Sequence, residues 1–297
     1  MNIQWRWSTT TSRFFGQPAE AVIECCRFAG LTGLEGDETT YAQSSEAARA
    51  ADAAAFRAAG LEMETFHLPF NASDNLSAFY ESERCASVRY QRVWMENAAR
   101  MGARIGILHP CNGRSGVAVE GLDRYLAPLE KSLKELLAAA DELNLVLAIE
   151  NMPPGRHCRL GSRPEHLARF REVFGHARLK FCLDTGHALI SMRERWPEFF
   201  AVMGDDLAAV HLHDTPGDRD LHLAPGHGRI DWTAVFRGMA RSNYRGSPVW
   251  RRFRSISGRP TPRNRGAPWC GRPMSGCVGR KRPDDATALL PSEGGLI

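Results

Sequence analysis

Five side chains able to bind a divalent cation or to move a proton stand where apolar runs of the sequence end: His67, His109, Glu150, Asp184 and His211. Imidazole and carboxylate both ligate Mn²⁺, Mg²⁺, Co²⁺ and Zn²⁺, so the donor types point to a metal without choosing it. Both also serve as general acids and bases. One histidine in such a place is most often a satisfied structural residue, but five such ends together reverse that reading. His211 and His213 lie two apart in an extended run, so both project to one side and either can be the ligand. Asp220 and His222 read D-x-H just before a glycine-rich turn, which brings two donors together on a loop as a second metal would require. A merely polar loop is the competing account of that pair.

The elements that must carry these residues are eight apolar runs: Ile3 to Trp7, Thr32 to Glu35, Leu61 to His67, Arg104 to His109, Leu145 to Glu150, Leu179 to Asp184, Ala208 to His213 and Ser247 to Trp250. Helical patterns separate them, clearest in Leu122, Leu126, Leu129, Leu133, Leu136, Leu137 and Ala140, which recur at three- and four-residue steps. Strand and helix alternating through the body predict an α/β chain folded as one (β/α)8 TIM barrel over residues 1–250, with its site at the C-terminal ends of the strands. An open doubly wound sheet would carry a glycine-rich turn after its first strand, and Ser8 to Ser12 read STTTS instead.

Composition narrows the function classes. The net charge of +4 is concentrated in residues 251–297, where nine Arg and one Lys meet three acidic residues; residues 1–250 hold 28 basic against 31 acidic residues. A mildly acidic body gives no support to a nucleic-acid partner. The start lacks a basic segment followed by an apolar run, and no apolar stretch reaches the 18 or so residues of a membrane span, so a cytoplasmic protein with no membrane partner is expected. Eight cysteines without C-x-x-C spacing are expected to be mostly buried free thiols. Oligomeric state leaves no mark on the sequence.

The strand ends read FHLPF (66–70), ILHP (107–110), AIENMP (148–153), CLDTGHA (182–188) and VHLHDT (210–215), followed by DLHLAPGHGRIDW (220–232). In this order they resemble the xylose-isomerase-like TIM-barrel family, which includes sugar isomerases, sugar epimerases and endonuclease IV. The resemblance implies a divalent metal held by Glu150, Asp184 and His211, completed in the family by a Glu on strand eight. It prefers His211 over His213 as ligand and leaves His213 either facing substrate or in a structural hydrogen bond. The multimetal members imply further ligands at His67, His109, His187, Asp220 and His222, hence one to three ions, with His187 alternatively touching a substrate oxygen. The leading implied activity is isomerisation or epimerisation of a sugar or sugar phosphate through an enediolate, with Glu150 both ligand and catalytic base and a small carbohydrate as partner. Phosphodiester cleavage at abasic DNA and a non-catalytic metal- or ligand-binding barrel are the alternatives. His157, His166 and His176 fall outside every motif and read as surface residues, and His227 receives no role.

Strand eight departs from the family's P-x-x-x-E pattern: Pro248, Val249, Trp250 and Arg251 lead to Arg252, a cation where an anion is expected. A guanidinium neither binds a divalent metal nor abstracts a proton. From there Gly, Pro, Arg and Ser make up 26 of the last 47 residues, so the eighth unit is expected to be incomplete and the tail 251–297 disordered. An out-of-frame reading of a GC-rich gene would change composition and motif at one point in this way; a natural basic tail, with Arg252 a genuine substitution, is the competing account.

Overall fold

A computed structural model describes residues 5–71 and 73–251. Eight parallel strands follow one another around a closed barrel: β1 Ser8–Thr10, β2 Gly33–Asp37, β3 Glu62–His67, β4 Ile105–Leu108, β5 Val146–Glu150, β6 Leu179–Asp184, β7 Leu207–Leu212 and β8 Val249–Trp250. The ring closes where β1 pairs with both β2 and β8.

The expected first strand is displaced. The apolar run ending at Trp7 is not the barrel strand; Ser8–Thr10, expected as the loop after it, is. The reason is space. Near the closure of the barrel small hydroxyl residues fit, and their polar groups are satisfied by neighbours, Ser8 Oγ donating to the Pro248 carbonyl and Thr9 Oγ1 to the Trp250 carbonyl at 2.9 Å. The bulky rings instead pack the outer seam. Trp7 stacks on Trp250 at 5.6 Å between centroids, and Trp5 stacks on Phe236 of the helix Trp232–Arg241.

Inside the barrel Ile107, Ala148, Cys182 and Ala209 form a separate fully buried apolar cluster. Strand side chains alternate, so the residue two further along each strand points inward again, nearer the C-terminal rim. Those residues are His109, Glu150, Asp184 and His211. An apolar plug therefore floors the site, and the pleat aims its donors at one another.

Helices cover the outside. The longest among the described residues, Leu122–Leu143, buries Leu126, Leu129, Leu133, Leu136 and Leu137 and stops at Asn144, whose left-handed φ of 54° turns the chain into β5. Thr185–Met192 begins directly at the end of β6, because the Asp184 carboxylate caps it by accepting from the His187 backbone N–H at 2.8 Å. Among the described residues no helix is long and apolar enough to cross a membrane. Of the six described cysteines, all free, only Cys26, Cys111 and Cys182 are buried, fewer than expected. Arg252 and the rest of the tail lie outside the described residues.

Candidate metal centre at the barrel mouth

Glu150, at the end of β5, is buried and lies within 3.4 Å of four imidazoles. Its Oε2 meets His67 Nε2 at 3.2 Å and His109 Nε2 at 3.0 Å, and its Oε1 meets His211 Nδ1 at 3.2 Å and His187 Nδ1 at 3.4 Å. Burial alone would raise its pKa, but His211, His109 and His67 outweigh it and hold the carboxyl well below the usual range. The charged form is thus the one the site is built around.

Asp184 occupies the next strand. Its oxygens lie 2.8 and 3.0 Å from His213 Nε2, and Asn151 clamps its backbone, Oδ1 accepting from Asp184 N–H at 2.7 Å and Nδ2 donating to its carbonyl. Gly186 explains part of the D-T-G-H turn, since a Cβ there would run into the His213 ring. Gly186→Ala is therefore expected to push His213 off Asp184 and to lower metal retention severalfold; an unchanged metal content would show that this contact is dispensable.

A second group stands on the loop after β7, where Asp220 Oδ1 lies 3.2 Å from His222 Nε2 and the His222 ring stacks on His213 at 4.1 Å. His187 links the two groups, with Nδ1 on the Asn151 carbonyl and Nε2 3.4 Å from Asp220. The loop is held in place by Asp214, a fully buried carboxylate accepting from the backbone N–H groups of Thr215, Gly226 and Ile230 and from Trp232 Nε1. His222 adopts a left-handed φ of 49°, a conformation uncommon for a side-chain-bearing residue, so the loop over-determines its position.

All eight residues expected to hold metal thus converge on the mouth, and His213 joins them, bound to Asp184 rather than open to solvent. Three sets have donor atoms within 4.8 Å of one another: His67, His109 and Glu150; Glu150, Asp184 and His187; His213, Asp220 and His222. His211 belongs to none of these sets, and His213, expected either to face substrate or to make a structural hydrogen bond, belongs to one. Among the buried atoms of these three sets, His109 Nδ1 has no hydrogen-bond partner among the described residues, and Asp220 Oδ1 has a 3.2 Å contact to His222 Nε2 that lacks hydrogen-bond geometry. Orphaned donors and acceptors beside clustered carboxylates are what a site completed by cations presents, so the residues fit a divalent metal.

Sequence reasoning overlooks Glu35. It is fully buried on β2, where Oε2 meets His211 Nε2 at 2.9 Å and accepts from Thr65 Oγ1, while Oε1 accepts from Arg251 Nη1 at 2.8 Å. Burial opposes its charge, yet His211 and Arg251 bring its pKa down to about 2. The signal was present, since Glu35 ends the second apolar run just as Glu150 ends the fifth. Strand eight also brings in a cation that the P-x-x-x-E spacing does not single out. That spacing points to Arg252, outside the described residues, whereas the side chain that enters the barrel is Arg251, two past the inward Val249. Phe70, 41% exposed, packs against His67 and His109 and adds an aromatic wall.

The other histidines divide. His157 and His227 are exposed and His176 is half-buried beside Asp141, but His166 is buried, its Nδ1 accepting from Gly161 N–H. Burial brings it down to about 4, so it is a neutral structural residue and not a surface one.

Burial also drives His109 down to about 3, leaving a neutral ring ready to bind a cation. His187 goes the other way. Burial works against its charge, but Asp184, Asp220 and Glu150 push it up to about 9. Below that pH a cation must displace its proton, so apparent metal affinity is expected to rise by up to tenfold per pH unit from pH 7 toward 9, then level. Chelator competition across that range measures it, and a flat profile would remove His187 from the ligand set.

A family model described as a xylose isomerase-like TIM barrel matches residues 23–268 of this chain. The uncharacterized protein MJ1614 of Methanocaldococcus jannaschii is 30% identical over 181 residues, covering 60% of this chain and 66% of its own length. The chain thus spans just under two thirds of that relative. A probable endonuclease 4 of Mycobacterium tuberculosis is 28% identical over 187 residues, 61% of this chain and 69% of that protein. Among solved structures, a D-tagatose 3-epimerase-like protein superposes with a TM-score of 0.73 at 21% identity, covering 84% of this chain and 91% of the other. At that identity the likeness is one of fold.

Proposed function

The chain belongs to the xylose isomerase-like TIM-barrel family, and on that premise we propose that its mouth is built for metal-dependent isomerisation or epimerisation of a small sugar or sugar phosphate. The observation that carries the reading is Glu150, a buried carboxylate kept charged at the centre of a ring of imidazoles. A bound Mn²⁺, Mg²⁺, Co²⁺ or Zn²⁺ would polarise a neighbouring carbonyl and hydroxyl pair, making the carbon-bound proton between them acidic. Glu150 takes that proton and returns it, the sugar passing through an enediolate. His187 completes the donor set with Glu150 and Asp184 or, where no ion takes it, donates to a substrate oxygen. Phe70 supplies an apolar face against the C–H side of the ring, and the apolar plug below keeps water from the floor.

A second reading, phosphodiester cleavage by a multimetal centre, is favoured by the two outer donor sets, His67–His109–Glu150 and His213–Asp220–His222, which could clamp attacking and leaving oxygens. The acidic body weighs against a DNA substrate. One assay separates the readings. Metal-loaded protein is incubated with a panel of aldoses, ketoses and their phosphates, and separately with a duplex carrying one abasic site, each with a chelator control. Chelator-sensitive sugar interconversion is the expected outcome; nicking of the abasic duplex with no sugar turned over would replace the reading by the second.

A further inference from the structure

Glu35 stands in none of the three donor sets, yet its strand is built to aim it at their neighbour His211. On β2, Leu34 pairs with Met63 of β3, and an unbroken register would set Glu35 opposite Glu64. The ladder shifts there by one residue, so Glu35 faces Thr65 instead, whose hydroxyl donates to Oε2 at 2.9 Å. Arg251 holds the other oxygen, Nη1 donating to Oε1 at 2.8 Å. Both oxygens of a fully buried side chain are thereby fixed, and Oε2 takes one further partner, His211 Nε2 at 2.9 Å.

His211 is gripped on two sides by this arrangement. Its Nε2 rests on Glu35, and the His67 ring stacks on its face at 5.7 Å between centroids. Its other nitrogen, Nδ1, lies 3.2 Å from Glu150 Oε1 and 4.0 Å from Asp184 Oδ2, the two carboxylates that His187 joins as a donor set. An imidazole that presents one nitrogen to a cation keeps its proton on the other, and a carboxylate accepting from that N–H fixes both the orientation and the tautomer of the ring. Glu35 is suited to that part. Its oxygens are committed inside the barrel, whereas Glu150 Oε1 is shared with His187 and faces the donor set.

We propose that Glu35 is a positioning residue of the metal centre: by accepting from His211 Nε2 it holds the ring so that the Nδ1 lone pair is presented on the side of Glu150 and Asp184. Resting on the metal-dependent reading of the mouth, this role adds His211 Nδ1 to the donors beside those two carboxylates. Without Glu35 the ring can turn about its own bonds or carry its proton on Nδ1, and in either case the lone pair is lost to the donor set.

Zinc affinity and the His211 tautomer test it together. The full chain is stripped with a chelator, and Zn²⁺ binding is measured by competition with a chromophoric chelator, with melting curves to confirm folding. Wild type is compared with Arg251→Met and with two double variants that carry Arg251→Met together with Glu35→Gln or Glu35→Met. Both double variants lack the ion pair, a replacement that buried pairs commonly tolerate, and they differ only in whether an acceptor still faces His211. The Glu35→Met double variant is expected to weaken one Zn²⁺ site by about ten- to a hundredfold. The Glu35→Gln double variant, whose amide oxygen can still accept from Nε2, is expected to restore most of that loss, and Arg251→Met alone to bind close to wild type. In Zn²⁺-loaded, isotope-labelled wild type, proton–nitrogen correlation NMR of the ring whose signals vanish in His211→Gln is expected to place its proton on Nε2. A proton on Nδ1 of that ring, equal affinity in the two double variants, or Arg251→Met binding as weakly as the Glu35→Met double variant would overturn the proposal while leaving the isomerase reading intact. If no variant folds, the wild-type tautomer decides by itself. Wild type binding no Zn²⁺ would overturn both. The expected affinities and tautomer with no sugar turned over by wild type would sustain the role of Glu35 and overturn only the isomerase reading.

Discussion

Glu150→Gln is expected to cost about a thousandfold or more in turnover and about a hundredfold in metal retention, the sizes that follow removal of a proton-transfer group and of a shared ligand. The substitution keeps shape and removes charge. Both oxygens of Glu150 are in use, with His67 and His109 on one and His211 and His187 on the other, so one atom change acts on two of the three donor sets. Glutamine offers a single weak acceptor and an amide N–H₂ that meets two imidazoles with the wrong polarity. The set His213–Asp220–His222 does not use Glu150, and its ion is expected to remain. Elemental analysis and steady-state assays on the folded variant check both parts; full retention of metal together with full loss of turnover would make Glu150 a base without being a ligand.

Asp214→Ala is expected to destabilise the fold by about 3 kcal/mol and to empty the loop site while sparing the other. The carboxylate is fully buried and accepts four hydrogen bonds, three from backbone N–H groups spread over Thr215, Gly226 and Ile230, and one from Trp232. Hydrogen bonds to a charged acceptor contribute about 1.5–3 kcal/mol each, and donors left buried without a partner carry a further penalty that local rearrangement only partly relieves. These bonds tie the start of the loop to its end, and Asp220 and His222 lie between. Denaturant titration reads the stability change; metal content reads the selective loss. Equal loss from both outer sets would mean that the barrel as a whole, and not the loop, had been disturbed.

Much of this was legible because barrel geometry converts a simple spacing into a position. Each strand places every second side chain inward, so a polar residue ending an apolar run is carried to the mouth, and Glu150, Asp184, His67, His109 and His211 all obey that rule. Applied without exception, the rule also selects Glu35, which is hidden only because G-L-E-G-D is short and glycine-rich and reads as the end of a weak strand. The first strand is illegible for a different reason. Apolar content marks what packs outside the barrel, and Trp5 and Trp7 do, whereas Ser8–Thr10 are strand by backbone pairing alone. His166 could have been found by period. It precedes the buried Phe170 by four residues on one helix, which puts both on the face turned to the barrel. The position of Arg251 depends on register with β7, a relation between strands that no single run of sequence contains.

The central claim is that the mouth moves a proton on the carbon beside a sugar carbonyl. Its most direct test is solvent deuterium exchange followed by proton NMR, with metal-loaded wild type and Glu150→Gln incubated in D₂O with the same sugars and sugar phosphates. Chelator-sensitive loss of the signal from the hydrogen on the carbon next to the carbonyl of at least one sugar, absent in Glu150→Gln, is the result expected. If metal-loaded protein exchanges no carbon-bound hydrogen in any sugar, or if Glu150→Gln exchanges it as fast as wild type, the proton-transfer account is contradicted.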